Sequence, residues 1–346
     1  MTDLWPNEKY DIVIFVCLAV LVGTGSFMLQ TLSGSFLVDP LVLSLGCGIL
    51  LRSLLGRRWN FAIGPTLAAR FFIPAGIVFY ALSNLDFSSY AAMPSGLGPL
   101  LFLVVAAYLG SNLLFGRLLG QKPKITYLVA TGSAICGASA IAMTSPSIDG
   151  EPDDVSIALL AVTLAAFVAL YLVLPFLGTL LQLPGEQYAL LAGALLQFTG
   201  FVKEAMIHMP FTNRGASPEA LGDLALLVKA GRYLGLVVII PLFASLVRKK
   251  VLFPLALWLY LAAGLVGTWL SIAMPPLLHR QLTPWLETAY VLLWSIAMAA
   301  IGMNADLKLL LSDQGIKAFW MALASFCVAL LTFFAYQFLF GVSWFC

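Results

Sequence analysis

Residues 125–146, ITYLVATGSAICGASAIAMTSP, decide how the chain is read. As a helix they would span about 33 Å at ~1.5 Å per residue, enough to cross a hydrocarbon core. Their middle, from Thr131 to Ala140, is built almost entirely of Gly, Ala, Ser and Thr, with Gly132 and Gly137 inviting the helix to unwind halfway. Broken backbone at membrane depth must line a protected cavity, because lipid offers its amides and carbonyls no partners. Such a place is suited to holding a small polar solute.

The rest of the chain agrees with a membrane reading. Apolar residues make up 61% of the 346 residues and charged ones 10%, whereas a soluble domain carries about 25% charged residues. One transmembrane domain over residues 1–346 is expected, since the longest weakly apolar connector, about Met209 to Asp223, is too short for a core of its own. The formal net charge is +2 and no basic block is interleaved with aromatics, so nucleic-acid binding has no footprint. Met1 to Asp11 lacks the positive n-region of a cleaved signal, and the first apolar run is expected to be retained. Cys17, Cys47, Cys136, Cys327 and Cys346 fall singly, supporting neither a disulfide framework nor a metal site.

Apolar runs give eleven candidate spans, near 11–31, 38–55, 66–85, 97–118, 125–147, 155–180, 187–207, 224–247, 251–273, 285–305 and 315–341. Basic residues follow the even-numbered spans, at Arg57 and Arg58, Arg117 with Lys122 and Lys124, Arg248 to Lys250, and Lys308 with Lys317. The positive-inside rule then places the N-terminus in the cytoplasm and the C-terminus in the periplasm. The acidic connector with Asp149, Glu151, Asp153 and Asp154 reads as an external loop.

The predicted fold is all-α, with one N-terminal helix and two inverted five-helix repeats, about 38–180 and 187–341. Arg70-Phe71-Phe72 in span three and Arg232-Tyr233-Leu234 in span eight occupy opposite ends in this scheme, as inverted units require. Span five then pairs with span ten, whose 292–304 stretch is also rich in small residues. The two are expected to cross as discontinuous helices, with half-helix ends around one cavity.

Thr131, Ser133 and Ser139 supply hydroxyls at this crossing, beside backbone freed at Gly137 and Ala138. Gln197 and Thr199 lie midway along span seven, and Gly302 and Asn304 close span ten. Arg70 and Arg232, with Lys229, can set a positive potential for an anion or else snorkel to the headgroups. The bland account of the small residues is interhelical packing. No carboxylate lies near the middle of spans five or ten, which argues against a dedicated cation antiporter. An intramembrane serine hydrolase at Ser139 would need a general base, and His208 and His279 lie near membrane edges. A channel would need a filter motif that is absent from the sequence.

Thr131 to Ala142 resembles the sulfate exporter family of bacterial inner-membrane proteins, itself similar to bile acid transporter and sodium/proton antiporter folds. Gly76-Ile77-Val78, the Val162 to Leu177 helix with Pro175, Ala192-Gly193-Ala194 and Gly302-Met303-Asn304-Ala305-Asp306-Leu307 follow the family's order. The resemblance covers the chain from about Leu41 and implies a transporter. Family members usually carry a histidine in span seven, where this chain reads Gly193-Ala194-Leu195-Leu196-Gln197, so a neutral amide replaces a titratable group. The expectation is a secondary transporter of small anions, of the sulfate, sulfonate or carboxylate class, in the bacterial inner membrane. A sodium- or proton-coupled organic-anion symporter of bile-acid type is the alternative. Neither an enzymatic activity nor a cofactor is expected; a homodimer is left open.

Overall fold

A computed structural model describes residues 8–33, 39–55, 64–85, 87–88, 96–207, 209, 218–249, 255–304 and 311–340. All regular structure among the described residues is helical. In chain order the helices are α1 (Glu8–Ser33), α2 (Pro40–Leu55), α3 (Gly64–Asn84), α4 (Leu97–Leu118), α5 (Pro123–Ala134), α6 (Ala138–Thr144), α7 (Pro152–Val168), α8 (Leu174–Leu180), α9 (Gly185–Leu195), α10 (Thr199–Ile207), α11 (Pro218–Gly231), α12 (Gly235–Arg248), α13 (Leu255–Ala273), α14 (Pro276–Asn304) and α15 (Asp313–Phe340). A π turn at Ala169–Val173 joins α7 to α8. Pro175 has no N–H to return to the preceding turn, which accounts for the altered ladder. Among the described residues, six stretches are long and apolar enough to cross a membrane.

The deciding stretch is not a span. Helix α5 ends at Ala134, α6 starts at Ala138, and the chain turns back between them, so that Lys124 Nζ donates to the Asp149 carbonyl at 2.7 Å. A continuous helix would hold those residues roughly a full bilayer apart. Instead α5 covers about 18 Å, half a hydrocarbon core, and α6 packs back against it with Ile141 beside Gly132. The acidic connector therefore shares a face with the basic residues, whereas the sequence reading put the two on opposite faces. Arg248 bonds Asp149 at 3.0 Å, and Lys122 lies 3.9 Å from Asp154.

A second hairpin forms at 185–207, which also corrects a predicted span. Helix α9 ends at Leu195, Leu196 is extended, and α10 begins at Thr199. Both arms pack along α11, itself only about 21 Å long at the helical rise, so both lie in one half of the molecule. That half is the far one, because α7 and α8 carry the chain away from the basic face before Gly185. The two hairpins thus enter from opposite faces.

The expected partner of the first break was span ten. It is instead one continuous helix, α14, running through 292–304 to Asn304. Its small residues serve close packing: a Cβ on Gly302 would strike the Leu45 carbonyl of α2, and one on Gly48 would strike the Ala299 carbonyl. Helix α14 packs on α1, α2 and α3, and α13 packs on α3, forming one bundle. Helix α15 packs on α4, α5 and α7, and joins the hairpins in the other. Gln121 Nε2 ties to the Gln314 carbonyl at one end of the molecule, and Tyr336 Oη to the Gly96 carbonyl at the other.

Candidate functional site

The hairpin tips meet in the interior, and local chemistry explains each bend. At the first tip, Gly137 N–H returns to the Gly132 carbonyl at 2.9 Å and Ile135 N–H to the Thr131 carbonyl at 3.1 Å, closing the last turn of α5. Gly137 takes φ +63°, favoured by glycine, and a Cβ there would stand 2.8 Å from the Phe198 ring of the second tip. Glycine is needed here for conformation and for the approach of the two tips.

Ending two helices in the interior leaves a fringe of carbonyls without amide partners. Two cations from α11 and the turn after it take them up. Lys229 Nζ donates to the carbonyls of Ile135 at 2.7 Å, Leu196 at 2.7 Å and Gln197 at 2.6 Å. Arg232 donates from Nε to Ala134 at 2.8 Å, from Nη1 to Leu196 at 2.9 Å and from Nη2 to Ser133 at 2.8 Å. Tyr108 Oη covers the Leu195 carbonyl at 2.8 Å, with the Arg232 guanidinium 5.5 Å above its ring. Lys229 is 0% exposed and Arg232 1%, and among the described residues neither has a carboxylate at ion-pair distance. Their counter-charge is only the partial negative charge of the carbonyl ends of α5 and α9, so the pair leaves the tips net positive. That surplus is what an anion site needs.

Beside the tips lies a cavity of about 310 Å³. The hairpins contribute Ser139, Thr199, Gly200 and Lys203 to its wall, and the α1–α3 and α14 bundle contributes Phe27, Gln30, Asp39, Leu41, Tyr80, Glu287, Thr288, Tyr290 and Val291. Tyr80 is the centre of an aromatic cluster, with ring centroids 5.6 Å from Tyr233, 5.1 Å from Tyr290 and 5.0 Å from Trp294. Its hydroxyl reaches Cys136 Sγ at 3.7 Å, linking the cluster to the first tip.

Of the residues singled out by sequence, the structure brings Ser133, Gly137, Ala138, Ser139, Gln197, Thr199 and Arg232 to the meeting of the tips. Ser139 and Thr199 line the cavity, and Thr199 Oγ1 also bonds Tyr233 Oη at 3.2 Å. Ser133 Oγ and Gln197 Oε1 are buried without a hydrogen-bond partner among the described residues, while Gln197 Nε2 reaches Tyr108 Oη at 3.3 Å. Thr131 spends its hydroxyl on the Tyr127 carbonyl of its own helix. Gly302 is elsewhere, in the α2–α14 contact. The side chains of Arg70 and Asn304 lie outside the described residues.

Arg232 was expected near an external end and instead occupies the interior, because the carbonyl fringe offers it more than the headgroups do. Lys229 was read with it as a funnel or snorkelling residue; its role as the second cap was missed. So were Tyr108, Asp39 and Glu287. The available signal was two cations three apart, well inside the apolar Ala220–Arg248 stretch, too deep for easy snorkelling.

Fold and site together define a multi-pass helical membrane protein with paired hairpin tips held by buried cations. Residues 12–322 match the family model described as "Conserved hypothetical protein 698", and the chain belongs to that family, the one to which the sequence resemblance pointed. It is 28% identical to a UPF0324 membrane protein of Brucella melitensis, over 95% of this chain and 92% of the relative. It is also 28% identical to a UPF0324 membrane protein of Streptococcus pneumoniae, over 95% and 97%. A UPF0324 membrane protein of Agrobacterium fabrum is 34% identical over 52% of each chain. No solved structure matches.

Proposed function

We propose that the protein is a secondary transporter of small anions, working by alternating access in the bacterial inner membrane. The observation that carries this reading is the Lys229–Arg232 pair, buried with no carboxylate at ion-pair distance among the described residues and holding two opposed hairpin tips beside a cavity. Hairpins entering from opposite faces support an inverted relation between two halves of the chain. The cavity is bounded by hairpin residues on one side and by α1–α3 and α14 on the other, so movement of one bundle against the other would open it to alternate faces. The basic face, with Lys122, Lys124, Arg248 and Lys317, is assigned to the cytoplasm. The N-terminus then faces the cytoplasm and the C-terminus the periplasm.

A proton-coupled symport is the second reading, favoured by Asp39 and Glu287 on the cavity wall. The protein is read as a carrier and not an enzyme: Ser139 shares its wall with Thr199 and Tyr80, an arrangement suited to holding a solute. A thermal-shift screen of purified protein against inorganic and organic anions tests the proposal, because a ligand at a hundredfold its dissociation constant adds about 2.7 kcal/mol. At least one small anion is expected to stabilise the wild type and to fail with Ser139→Leu, whose side chain would fill the cavity wall. Absence of any anion effect would refute the reading.

A further inference from the structure

The cavity beside the tips has walls of opposite chemical character. On the hairpin side Thr199 and Lys203 bring a hydroxyl and an ammonium. On the other side Asp39 and Glu287 bring two carboxylates, with Tyr80 and Tyr290 also on the wall. A cavity of about 310 Å³ has the size of one small molecule. A bare inorganic dianion would therefore feel Asp39 and Glu287 as well as the surplus positive charge at the tips. Asp39 is also fixed in place: its Oδ1 accepts the Leu41 N–H at 2.8 Å and the Val42 N–H at 3.3 Å at the start of α2. An ammonium carried by the ligand itself would resolve the conflict, since Asp39 and Glu287 would then face a positive group.

We infer that the cavity takes small zwitterions, organic anions bearing an ammonium group, with the anionic end toward Thr199 and Lys203 and the ammonium toward Asp39 and Glu287. This deepens the anion-carrier reading and rests on it. Tyr80 and Tyr290 would contact the apolar body between the two charges. Inorganic sulfate, lacking the second charge, would be a poor ligand despite its size.

The test uses matched pairs that differ in the ammonium: 2-aminoethanesulfonate against ethanesulfonate, and β-alanine against propionate, with inorganic sulfate as a further arm. Affinities come from thermal shift of the purified full-length chain at neutral pH. The ammonium-bearing member of each pair is expected to bind about tenfold or more tightly, the scale of one charge-assisted hydrogen bond. Asp39→Asn and Glu287→Gln should each erode that preference. Both variants keep side-chain size, and the asparagine retains an oxygen for the α2 cap, so folding is checked by gel filtration before binding is compared. Equal or tighter binding of the ammonium-free member or of sulfate would overturn the assignment, as would a preference unchanged in both variants. If ethanesulfonate or sulfate binds and Ser139→Leu abolishes it, the carrier reading stands while the zwitterion assignment falls. If no member of either pair binds and sulfate does not, both fall.

Discussion

Lys229 Nζ and Arg232 Nη1 share one acceptor, the Leu196 carbonyl, at 2.7 Å and 2.9 Å. Each also reaches across to the first hairpin, Lys229 to Ile135 and Arg232 to Ser133 and Ala134. The pair is therefore the joint between two hairpins that approach from opposite faces, and neither hairpin tip is satisfied without it.

Removing one member should unfasten that joint. Lys229→Met leaves the Ile135 and Gln197 carbonyls buried without their donor and is expected to cost about 2–6 kcal/mol, at about 1–3 kcal/mol per orphaned group. Lys122→Met, at a largely exposed cation 3.9 Å from Asp154, should cost about 1 kcal/mol or less. Thermal unfolding of the two variants in detergent gives the comparison, and equal losses would argue against a structural role for Lys229.

Gly137→Ala is expected to destabilise for two separable reasons. The backbone sits at φ +63°, and the new methyl meets the Phe198 ring at 2.8 Å. The conformational part alone is worth about 1 kcal/mol or somewhat more. Adding Phe198→Ala should relieve the clash while leaving the backbone cost, so a double-mutant cycle should show coupling between these positions. Additive losses would separate the two tips.

The chain announced this bend, because Gly132, Gly137 and the run of small residues around them are a local signal. Where the chain went next was not local. Turning back after Gly137 depends on Lys124 meeting Asp149 and on Ile141 packing beside Gly132, contacts that a hydropathy window counts as one more crossing. The small residues near Gly302 carried the same signal as those near Gly137 and mean something else, a tight α2–α14 contact. Composition cannot separate a helix that breaks from one that packs closely. Lys229 and Arg232 were visible as charges, but their partners are backbone carbonyls, which no side-chain pattern reveals.

The cavity should make stability depend on pH through Asp39. Burial pushes its carboxyl up from the usual 3.8 to about 6, against the opposing pull of the Leu41 and Val42 amides. The folded state then binds more protons than the unfolded one in that interval. The contribution is fully present below about 3.8 and is lost as pH rises through about 6. Glu287 and Lys203 share the cavity with it and are the charged neighbours to control. Asp39→Asn should flatten the stability profile between those values; an unchanged slope would place the titration elsewhere.

Ligand stabilisation should separate cavity residues from packing residues. Ser139→Leu should abolish an anion-induced shift in melting temperature. Gly302→Ala should lower basal stability through the Leu45 carbonyl while leaving that shift in place. Loss of the shift in Gly302→Ala, at matched stability, would extend the site to α14's far end.

The most direct test of the account is the sidedness of the hairpin ends. Single cysteines at Lys122, Glu151, Gln182 and Ala220, in a background with the native cysteines replaced, are labelled with an impermeant maleimide in oriented vesicles. Lys122 and Glu151 are predicted to react from one face, and Gln182 and Ala220 from the other. Labelling of Lys122 and Glu151 from opposite faces would mean that residues 125–147 cross the membrane, and would contradict the hairpin architecture on which the site depends.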